Sequence, residues 1–263
     1  MKKIIILCMI LLNTARLSAQ VQYEPKVFVA GNDTLPYQIL YPEKFDSKKK
    51  YPLVFVLHGS GERGTDNKAQ LIHGGKLFLR PEIREKFPAI VIFPQCPKND
   101  FWANVKVTPT ADGKRAFTFP YEKSPTKAMA LLIGLVESYR KESTTDKRRI
   151  YIGGLSMGGM GTFELLARKP ETFAAAFPIC GGGNVDYVKK YKKVPLWIFH
   201  GAKDDIVLPI YSEMIVNKLK VLGRDVKFTL YPDANHNSWD RAFAEPDFLP
   251  WLFSNSRKRL FFW

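Results

Sequence analysis

Cysteine and histidine are scarce in this chain, which has three cysteines and four histidines among its 263 residues. Cys8 lies in an N-terminal apolar run, so the rest of the chain has only Cys96 and Cys180. Two cysteines cannot build the disulfide framework of a small secreted scaffold. Both follow predicted strands and could pair only if those strands were neighbours in the sheet, so free, buried thiols are favoured over a bridge.

The apolar run at the N-terminus covers residues 4–12. It is too short to cross a bilayer, because a membrane-spanning helix takes about 20 apolar residues. Two lysines precede it and the small residues Ser18 and Ala19 follow it, so the pattern predicts a signal peptide over residues 1–19. We therefore expect a secreted or periplasmic protein without stable membrane insertion, whose residues 20–263 form a single catalytic domain.

Acidic residues are few beside the basic ones, and the formal net charge is +15. The charge falls to +12 without the signal peptide, which would favour acidic partners such as uronic-acid polysaccharides or anionic surfaces. The basic residues are spread along the chain instead of forming one stripe, so we interpret them as solvated surface and expect no nucleic-acid partner. The oligomeric state stays open.

Short runs rich in Val, Ile and Phe predict strands at residues 26–30, 36–40, 53–57, 89–93, 149–152, 174–179, 196–199 and 226–231. The first two flank a turn and predict an antiparallel hairpin. Helical stretches separate the others, which indicates parallel strands covered on both faces and hence an α/β fold.

Two helices have clear end signals. One is predicted to begin with Ser124 as its cap and Pro125 at its first position, and another to run from residue 209 until Gly223 ends it. Residues 97–121 fit no helix, and their alternating pattern around a glycine predicts a hairpin insertion.

The strongest local motif is Gly154-Leu155-Ser156-Met157-Gly158, which stands between a predicted strand and a predicted helix. A nucleophile at such an elbow has strained backbone geometry and an exposed hydroxyl. The positions two before and two after it must be nearly free of side chain, and Gly154 and Gly158 satisfy this. Ser156 is therefore the candidate nucleophile.

A serine hydroxyl needs a base to take its proton and an acid to orient that base. In this type of fold the acid and then the histidine follow the serine along the chain, which leaves His200 and His236. His236 lies in the loop after the last predicted strand and is the candidate base, whereas His200 is interpreted as a structural strand-end histidine. Asp204 is the candidate acid, with Asp205 as its rival.

The oxyanion of the reaction needs backbone N–H donors. Met157 follows the nucleophile at a helix start and is one candidate, and Ser60 in the glycine-rich turn of residues 57–64 is the other. The alternative for this turn is a tight strand exit without function. Trp102 and Trp239 are candidate walls of the substrate pocket, although packing is the commoner role of such aromatic residues.

Five blocks stand in order along the chain: HGSGERG, PQCP followed by a tryptophan, GLSMGG, HGAKDD and NHNSWDRAF. Over residues 51–252 the chain resembles the α/β-hydrolase branch of carboxylesterases, phospholipase/carboxylesterase-like enzymes, predicted peptidases and dienelactone-hydrolase-like proteins. The resemblance implies an eight-stranded, mostly parallel sheet, the catalytic triad Ser156, Asp204 and His236, and neither a metal nor an organic cofactor.

We therefore expect a serine esterase that acts through an acyl-enzyme. Related secreted enzymes include feruloyl and acetylxylan esterases, which makes esters on plant polysaccharide the leading substrate class. One alternative is a secreted serine peptidase of the prolyl-oligopeptidase type, disfavoured because this chain has no segment for the propeller domain of those enzymes. Another is a noncatalytic homologue that binds glycan, disfavoured because all three triad residues are present.

Overall fold

The computed structural model describes residues 22–120 and 122–257, so the predicted signal peptide lies outside the described residues. The β-strands within these ranges are β1 (Glu24–Ala30), β2 (Asp33–Leu40), β3 (Tyr51–Leu57), β4 (Ile90–Pro94), β5 (Lys106–Pro109), β6 (Arg115–Thr118), β7 (Thr145–Leu155), β8 (Ala175–Ile179), β9 (Trp197–Gly201) and β10 (Lys227–Tyr231). The α-helices are α1 (Gly75–Leu79), α2 (Pro81–Lys86), α3 (Lys127–Lys141), α4 (Met157–Arg168), α5 (Val188–Tyr191), α6 (Ile210–Val221), α7 (Trp239–Ala244) and α8 (Phe248–Ser254).

Eight strands form one sheet in the order β1-β2-β4-β3-β7-β8-β9-β10. The pairs β1 with β2 and β2 with β4 are antiparallel, and the pairs from β4 to β10 are parallel. Every residue of β3, β4, β8 and β9 is buried, which explains why their apolar runs are continuous and not alternating. The predicted α/β fold is confirmed.

Helices cover both faces of this sheet. Phe55 of β3 packs on one face in a cluster with Leu135 of α3 and Ile215 of α6. The next residue back along the strand, Val54, lies in the cluster on the other face, with Phe248 of α8. This alternation follows from the two-residue period of a strand. The parallel strands end at one common edge, and the loops that leave this edge carry the candidate site.

The helix predicted from Ser124 begins later than expected. Thr126 caps α3, because its hydroxyl oxygen accepts a hydrogen bond from the N–H of Met129 at 3.1 Å. The prediction that Ser124 caps this helix was wrong. Thr126 takes that place because a distant segment also holds it, its hydroxyl donating a hydrogen bond to the carbonyl oxygen of Phe101 at 2.7 Å. The end of α6 agrees with the sequence, since Gly223 follows it with a φ of +67°.

Residues 97–121 contain a hairpin, in which β5 and β6 pair antiparallel around a turn where Gly113 has a φ of +77°. Every residue of β5 is exposed, and Phe117 is the buried residue of β6. Phe117 packs in a small cluster with Met160 of α4 and Val207. The hairpin is therefore fastened to the domain by a few apolar contacts beside the catalytic edge.

Cys96 and Cys180 are buried and free, in agreement with the favoured interpretation of the sequence. Burial raises the pKa of both thiols well above the usual range, so both are neutral at physiological pH. In the described part of the chain, no helix combines the length and the apolar character that a bilayer crossing requires.

Candidate active site

Ser156 lies in the sharp turn between β7 and α4. Its backbone is strained, with φ at +53° and ψ at −115°. The turn fits only because its flanking positions have no side chain. A Cβ atom on Gly154 would lie 2.4 Å from the carbonyl oxygen of Leu57, and one on Gly158 would lie 2.1 Å from the same oxygen. The sequence motif thus folds into the elbow geometry expected of it.

The structure brings Ser156, His236 and Asp204 together in one hydrogen-bonded chain. His236 Nε2 lies 3.0 Å from Ser156 Oγ, and His236 Nδ1 lies 2.8 Å from Asp204 Oδ2. The other carboxylate oxygen of Asp204 accepts from the N–H groups of Ile206 and Val207 at 3.0 and 2.9 Å. This arrangement can deprotonate the serine hydroxyl and hold the resulting imidazolium in place.

The rival acid, Asp205, is exposed, while the carboxylate of Asp204 is completely buried. Burial acts to raise the pKa of Asp204, but the hydrogen bonds from His200 and His236 outweigh it and hold that pKa well below its usual range. Asp204 is therefore ionised at neutral pH, which is the state that can orient and stabilise a protonated His236.

His200 makes the predicted contact to loop backbone and two further contacts that the sequence did not indicate. Its Nε2 lies 2.8 Å from the carbonyl oxygen of Val207, which agrees with the expected contact to loop backbone. The same nitrogen also lies 3.1 Å from Asp204 Oδ2, and Nδ1 lies 2.8 Å from Ser212 Oγ. The contact between His200 and Asp204 was not predicted. His200 ends a strand and Asp204 lies in the loop after it, where no regular spacing indicates which side chains meet.

The two predicted oxyanion donors each lie at the start of a helical turn. Met157 is the first residue of α4, so its N–H has no acceptor within the helix. Ser60 begins a single 3₁₀ turn, Ser60–Glu62, directly after Gly59. A Cβ atom on Gly59 would lie 3.7 Å from Ser156 Cβ, so this turn passes close to the side chain of Ser156.

The two predicted pocket tryptophans differ in position. Trp102 is fully buried, with 0% of its surface exposed, and packs against Gly161 and the ring of His58. The prediction of Trp102 as a pocket wall is wrong for this structure, because Gly161 leaves a space on α4 that encloses the indole. Trp239 lies beside the site, with its ring edge-on to His236 at 5.4 Å between centroids.

Two further side chains near the site were missed by the sequence reasoning. His73 stacks at a tilt on Trp239 with 5.0 Å between ring centroids, and its Nε2 lies 3.7 Å from Glu62 Oε1. Glu62 belongs to the HGSGERG block, so its position near the site could have been predicted from the sequence. The direction of its carboxylate, which turns back toward Gly59, could not.

Within residues 22–120 and 122–257, Cys180, Asp204 and His236 offer ligand atoms within 4.8 Å of one another. A metal ion there would compete with the hydrogen bond between Asp204 and His236. The thiol is also neutral because burial raises its pKa, whereas a metal binds the thiolate. These residues are better suited to proton transfer than to holding a metal.

A mostly parallel sheet of eight strands with a serine at a strand-to-helix elbow defines the α/β-hydrolase class. Within this class the chain belongs to the dienelactone hydrolase family, whose model matches residues 91–247. The predicted resemblance is thereby confirmed. The family and the esterases among its relatives support the predicted class of enzyme, a carboxylic ester hydrolase.

Three relatives are informative. A solved thermostable esterase superposes with a TM-score of 0.78 at 34% identity, over 89% of this chain and 63% of that one. Lysophospholipase-like protein 1 of Mus musculus is 28% identical over 201 residues, which are 70% of this chain and 79% of the mouse protein. The bifunctional acetylxylan esterase/xylanase XynS20E of Neocallimastix patriciarum is 34% identical over 83 residues, which are 31% of this chain and only 12% of that protein.

Proposed function

We propose that this chain hydrolyses carboxylic esters through an acyl-enzyme, with Ser156 as nucleophile, His236 as general base and acid, and Asp204 as the orienting acid. The observation that carries the proposal is the continuous hydrogen-bonded chain from Ser156 Oγ through both ring nitrogens of His236 to Asp204 Oδ2, at 3.0 and 2.8 Å. It is supported by membership of the dienelactone hydrolase family.

In the first half of the reaction Ser156 Oγ attacks the ester carbonyl carbon while its proton passes to His236 Nε2. The carbon–oxygen bond to the alcohol then breaks, and His236 returns the proton to the departing alcohol oxygen. In the second half a water molecule attacks the acyl-serine, again losing its proton to His236. The carboxylic acid leaves, and the proton goes back to Ser156.

Charge develops on the carbonyl oxygen during both halves. The N–H of Met157 is proposed as one donor to it, where the positive end of the α4 dipole adds to the field. The N–H of Ser60 is proposed as the other, since its turn lies beside the nucleophile. Each such donor typically lowers the barrier by about 2.7 to 4 kcal/mol.

For the substrate we propose acetyl or feruloyl esters linked to plant polysaccharide, met after export into the periplasm or medium. The partial match to an acetylxylan esterase/xylanase supports the acetyl ester. The feruloyl ester is proposed because feruloyl esterases are among the secreted enzymes related to the branch that the sequence resembles, and the predicted signal peptide supports export. Trp239 is proposed to contact the substrate, because its ring stands beside His236.

The test is the turnover of a panel consisting of p-nitrophenyl acetate, methyl ferulate, acetylated xylan, a long-chain lysophospholipid and an aminoacyl p-nitroanilide. We expect the first three to be cleaved, and Ser156→Ala to lose activity by roughly 10⁶-fold in kcat, as removal of a triad serine does elsewhere. Ser138→Ala is the matched control, because the hydroxyl of Ser138 donates to the carbonyl oxygen of Leu135 within α3.

Three results would overturn parts of the proposal. Full turnover by Ser156→Ala would exclude the serine mechanism. Faster cleavage of the anilide than of matched esters would favour a peptidase, and cleavage of the lysophospholipid alone would replace the polysaccharide esters by membrane lipids as substrate class.

A further inference from the structure

Asp204 is shared by two histidines. Its Oδ2 atom lies 2.8 Å from His236 Nδ1 and 3.1 Å from His200 Nε2. His236 faces the nucleophile and is partly exposed, whereas the side chain of His200 is 0% exposed. The second imidazole therefore stands behind the carboxylate, out of reach of substrate.

Two acceptors and one hydroxyl contact the His200 ring. The carbonyl oxygen of Val207 lies 2.8 Å from Nε2, in addition to Asp204 Oδ2. On the other side Ser212 Oγ lies 2.8 Å from Nδ1, and this hydroxyl donates to the carbonyl oxygen of Gly181 at 2.9 Å. A hydroxyl has only one hydrogen, so Ser212 cannot serve Gly181 and Nδ1 at once.

Each neutral form of the ring leaves a conflict. With hydrogen on Nε2 alone, Ser212 must turn its hydrogen to Nδ1, and the carbonyl of Gly181 loses its donor. With hydrogen on Nδ1 alone, the lone pair of Nε2 meets two acceptors, Val207 and Asp204. With hydrogen on both nitrogens, every one of these contacts becomes a donor–acceptor pair. A buried charge of this kind is acceptable only when it is paired, and Asp204 supplies the opposite charge.

His58 provides a contrast within the same molecule. It also follows a buried strand and is itself buried, but its partners are of two kinds. Its Nδ1 lies 2.6 Å from the carbonyl oxygen of Gly59, an acceptor, and its Nε2 accepts from the N–H of Cys96 at 2.9 Å. One donor and one acceptor suit a neutral ring, and burial lowers the pKa of His58 to about 4.

We infer that His200 is a positioning residue, a buried imidazolium that holds Asp204 by charge and hydrogen bond and thereby sets the pH range over which His236 remains an available base. The inference rests on the proposed function of Asp204 and His236. A cation behind Asp204 opposes a second positive charge on His236, so the free base persists to lower pH than it would with a neutral neighbour.

Three other titratable groups lie near His236. One is Cys180, after β8, whose ligand atom lies within 4.8 Å of those of Asp204 and His236. Its thiol is neutral because burial raises its pKa. The others are His73, which contacts Trp239 beside His236, and Glu62, whose Oε1 lies 3.7 Å from His73 Nε2. α6 contributes Ser212, which carries no charge, and the loop after β9 contributes Asp204 itself. Asp204 bonds directly to His236 and His200 contacts Asp204, so these are the groups that the tests below perturb, while Glu62 and His73 stay unchanged.

The first test uses the unaltered protein and needs no activity. Nitrogen-15 NMR of the histidine rings at pH 7 is expected to show hydrogen on both nitrogens of His200 and on one nitrogen of His58, with assignments from single His→Gln variants. A single ring N–H on His200 at this pH would overturn the inference, whatever the outcome for the esterase reaction.

The second test is the pH dependence of kcat/KM for p-nitrophenyl acetate. His200→Gln keeps a donor toward Val207 and Asp204 but removes the charge, so the acidic limb of the profile is expected to move to higher pH by about one unit or more. A purely structural role would lower the plateau and leave the limb in place, and that result would overturn the inference.

Matched variants complete this experiment. Lys127→Gln removes one positive charge from a surface pair with Asp33 and is expected to leave the limb unmoved. If His200→Gln does not fold, Ser212→Ala removes the acceptor of Nδ1 and is expected to move the limb in the same direction by less, and an unmoved limb would overturn the inference. Loss of activity by Ser156→Ala is measured alongside, so that failure of the esterase mechanism is recognised separately.

Discussion

The catalytic edge of the sheet and the β5–β6 hairpin are built in opposite ways. The catalytic edge, defined here as the loops at residues 57–64, 154–160, 200–207 and 232–239, follows β3, β7, β9 and β10. Every residue of β3 and β9 is buried, and so are the last six residues of β7, whereas only the last residue of β10 is buried. The hairpin lies on the surface, with all of β5 exposed and Phe117 as the buried residue of β6. Both regions meet at Met160 and Val207.

The catalytic edge holds its side chains in fixed positions, whereas the hairpin can change without affecting them. Ser156 and Asp204 follow buried strand ends that cannot shift without disturbing the core, and a site built on rigid elements keeps its geometry better than one built on loops. His236 follows the less buried β10 and is held by its hydrogen bond to Asp204. The hairpin is fastened by a few contacts and can vary without moving the triad. We therefore expect changes at the catalytic edge to affect chemistry and folding strongly, and changes at the hairpin to affect both weakly.

The largest expected effect is on the orientation of the base. Asp204→Asn would offer an amide to both histidines and favour the wrong tautomer of His236, so kcat for p-nitrophenyl acetate should fall by roughly 10⁴-fold. Asp205→Asn is the control, because this neighbour is exposed. Equal losses in the two variants would contradict the assignment of Asp204 as the acid.

The next effect is on folding of the elbow. Gly158→Ala would place a Cβ atom 2.1 Å from the carbonyl oxygen of Leu57, a backbone atom that cannot move away. The free energy of unfolding should fall by about 4 kcal/mol or more, measured by urea denaturation. Gly61→Ala is the matched change, because a Cβ there meets nothing within 4 Å, and its stability should stay close to that of the unaltered protein.

A smaller effect concerns pH and the turn that follows β3. Burial lowers the pKa of His58 to about 4 in the folded protein, whereas an unfolded histidine titrates near 6.5. Between these values the unfolded chain binds more protons, so His58 costs about 3 kcal/mol of stability as pH falls from about 6.5 to about 4. The stability gap between the unaltered protein and His58→Gln should therefore narrow over this range in urea titrations. A constant gap would contradict the neutral state of His58.

The smallest effect is expected at the hairpin. The hydroxyl of Tyr211 accepts a hydrogen bond from the N–H of Phe117 at 2.8 Å. Tyr211→Phe removes that acceptor and should lower the free energy of unfolding by about 1 kcal/mol, with faster amide exchange in β5 and β6. Turnover of p-nitrophenyl acetate should change little. A loss of turnover as large as that of Asp204→Asn would show that the two regions are not separable.

The comparison also explains what could be predicted from the sequence. Ser156, Asp204 and His236 each follow a predicted strand, and because parallel strands end at one edge, their approach could be expected without coordinates. The continuous apolar runs likewise indicated strands covered on both faces, and the sheet has this form.

What the sequence could not supply depends on contacts between distant segments. Trp102 is enclosed because Gly161, far along the chain, leaves space for it on α4. Thr126 caps α3 because its hydroxyl also bonds to the backbone of Phe101. The bond of His200 to Ser212 joins β9 to α6, and its contacts to two acceptors, Val207 and Asp204, likewise depend on how the loop after β9 folds back on the ring.

The most direct measurement of the central claim is labelling of the folded protein with a fluorophosphonate, followed by mass spectrometry of its peptides. The account predicts one adduct, on Ser156, which disappears in Ser156→Ala and forms much more slowly in Asp204→Asn. Stable folded protein that takes up no reagent, or an adduct on a different residue, would contradict it.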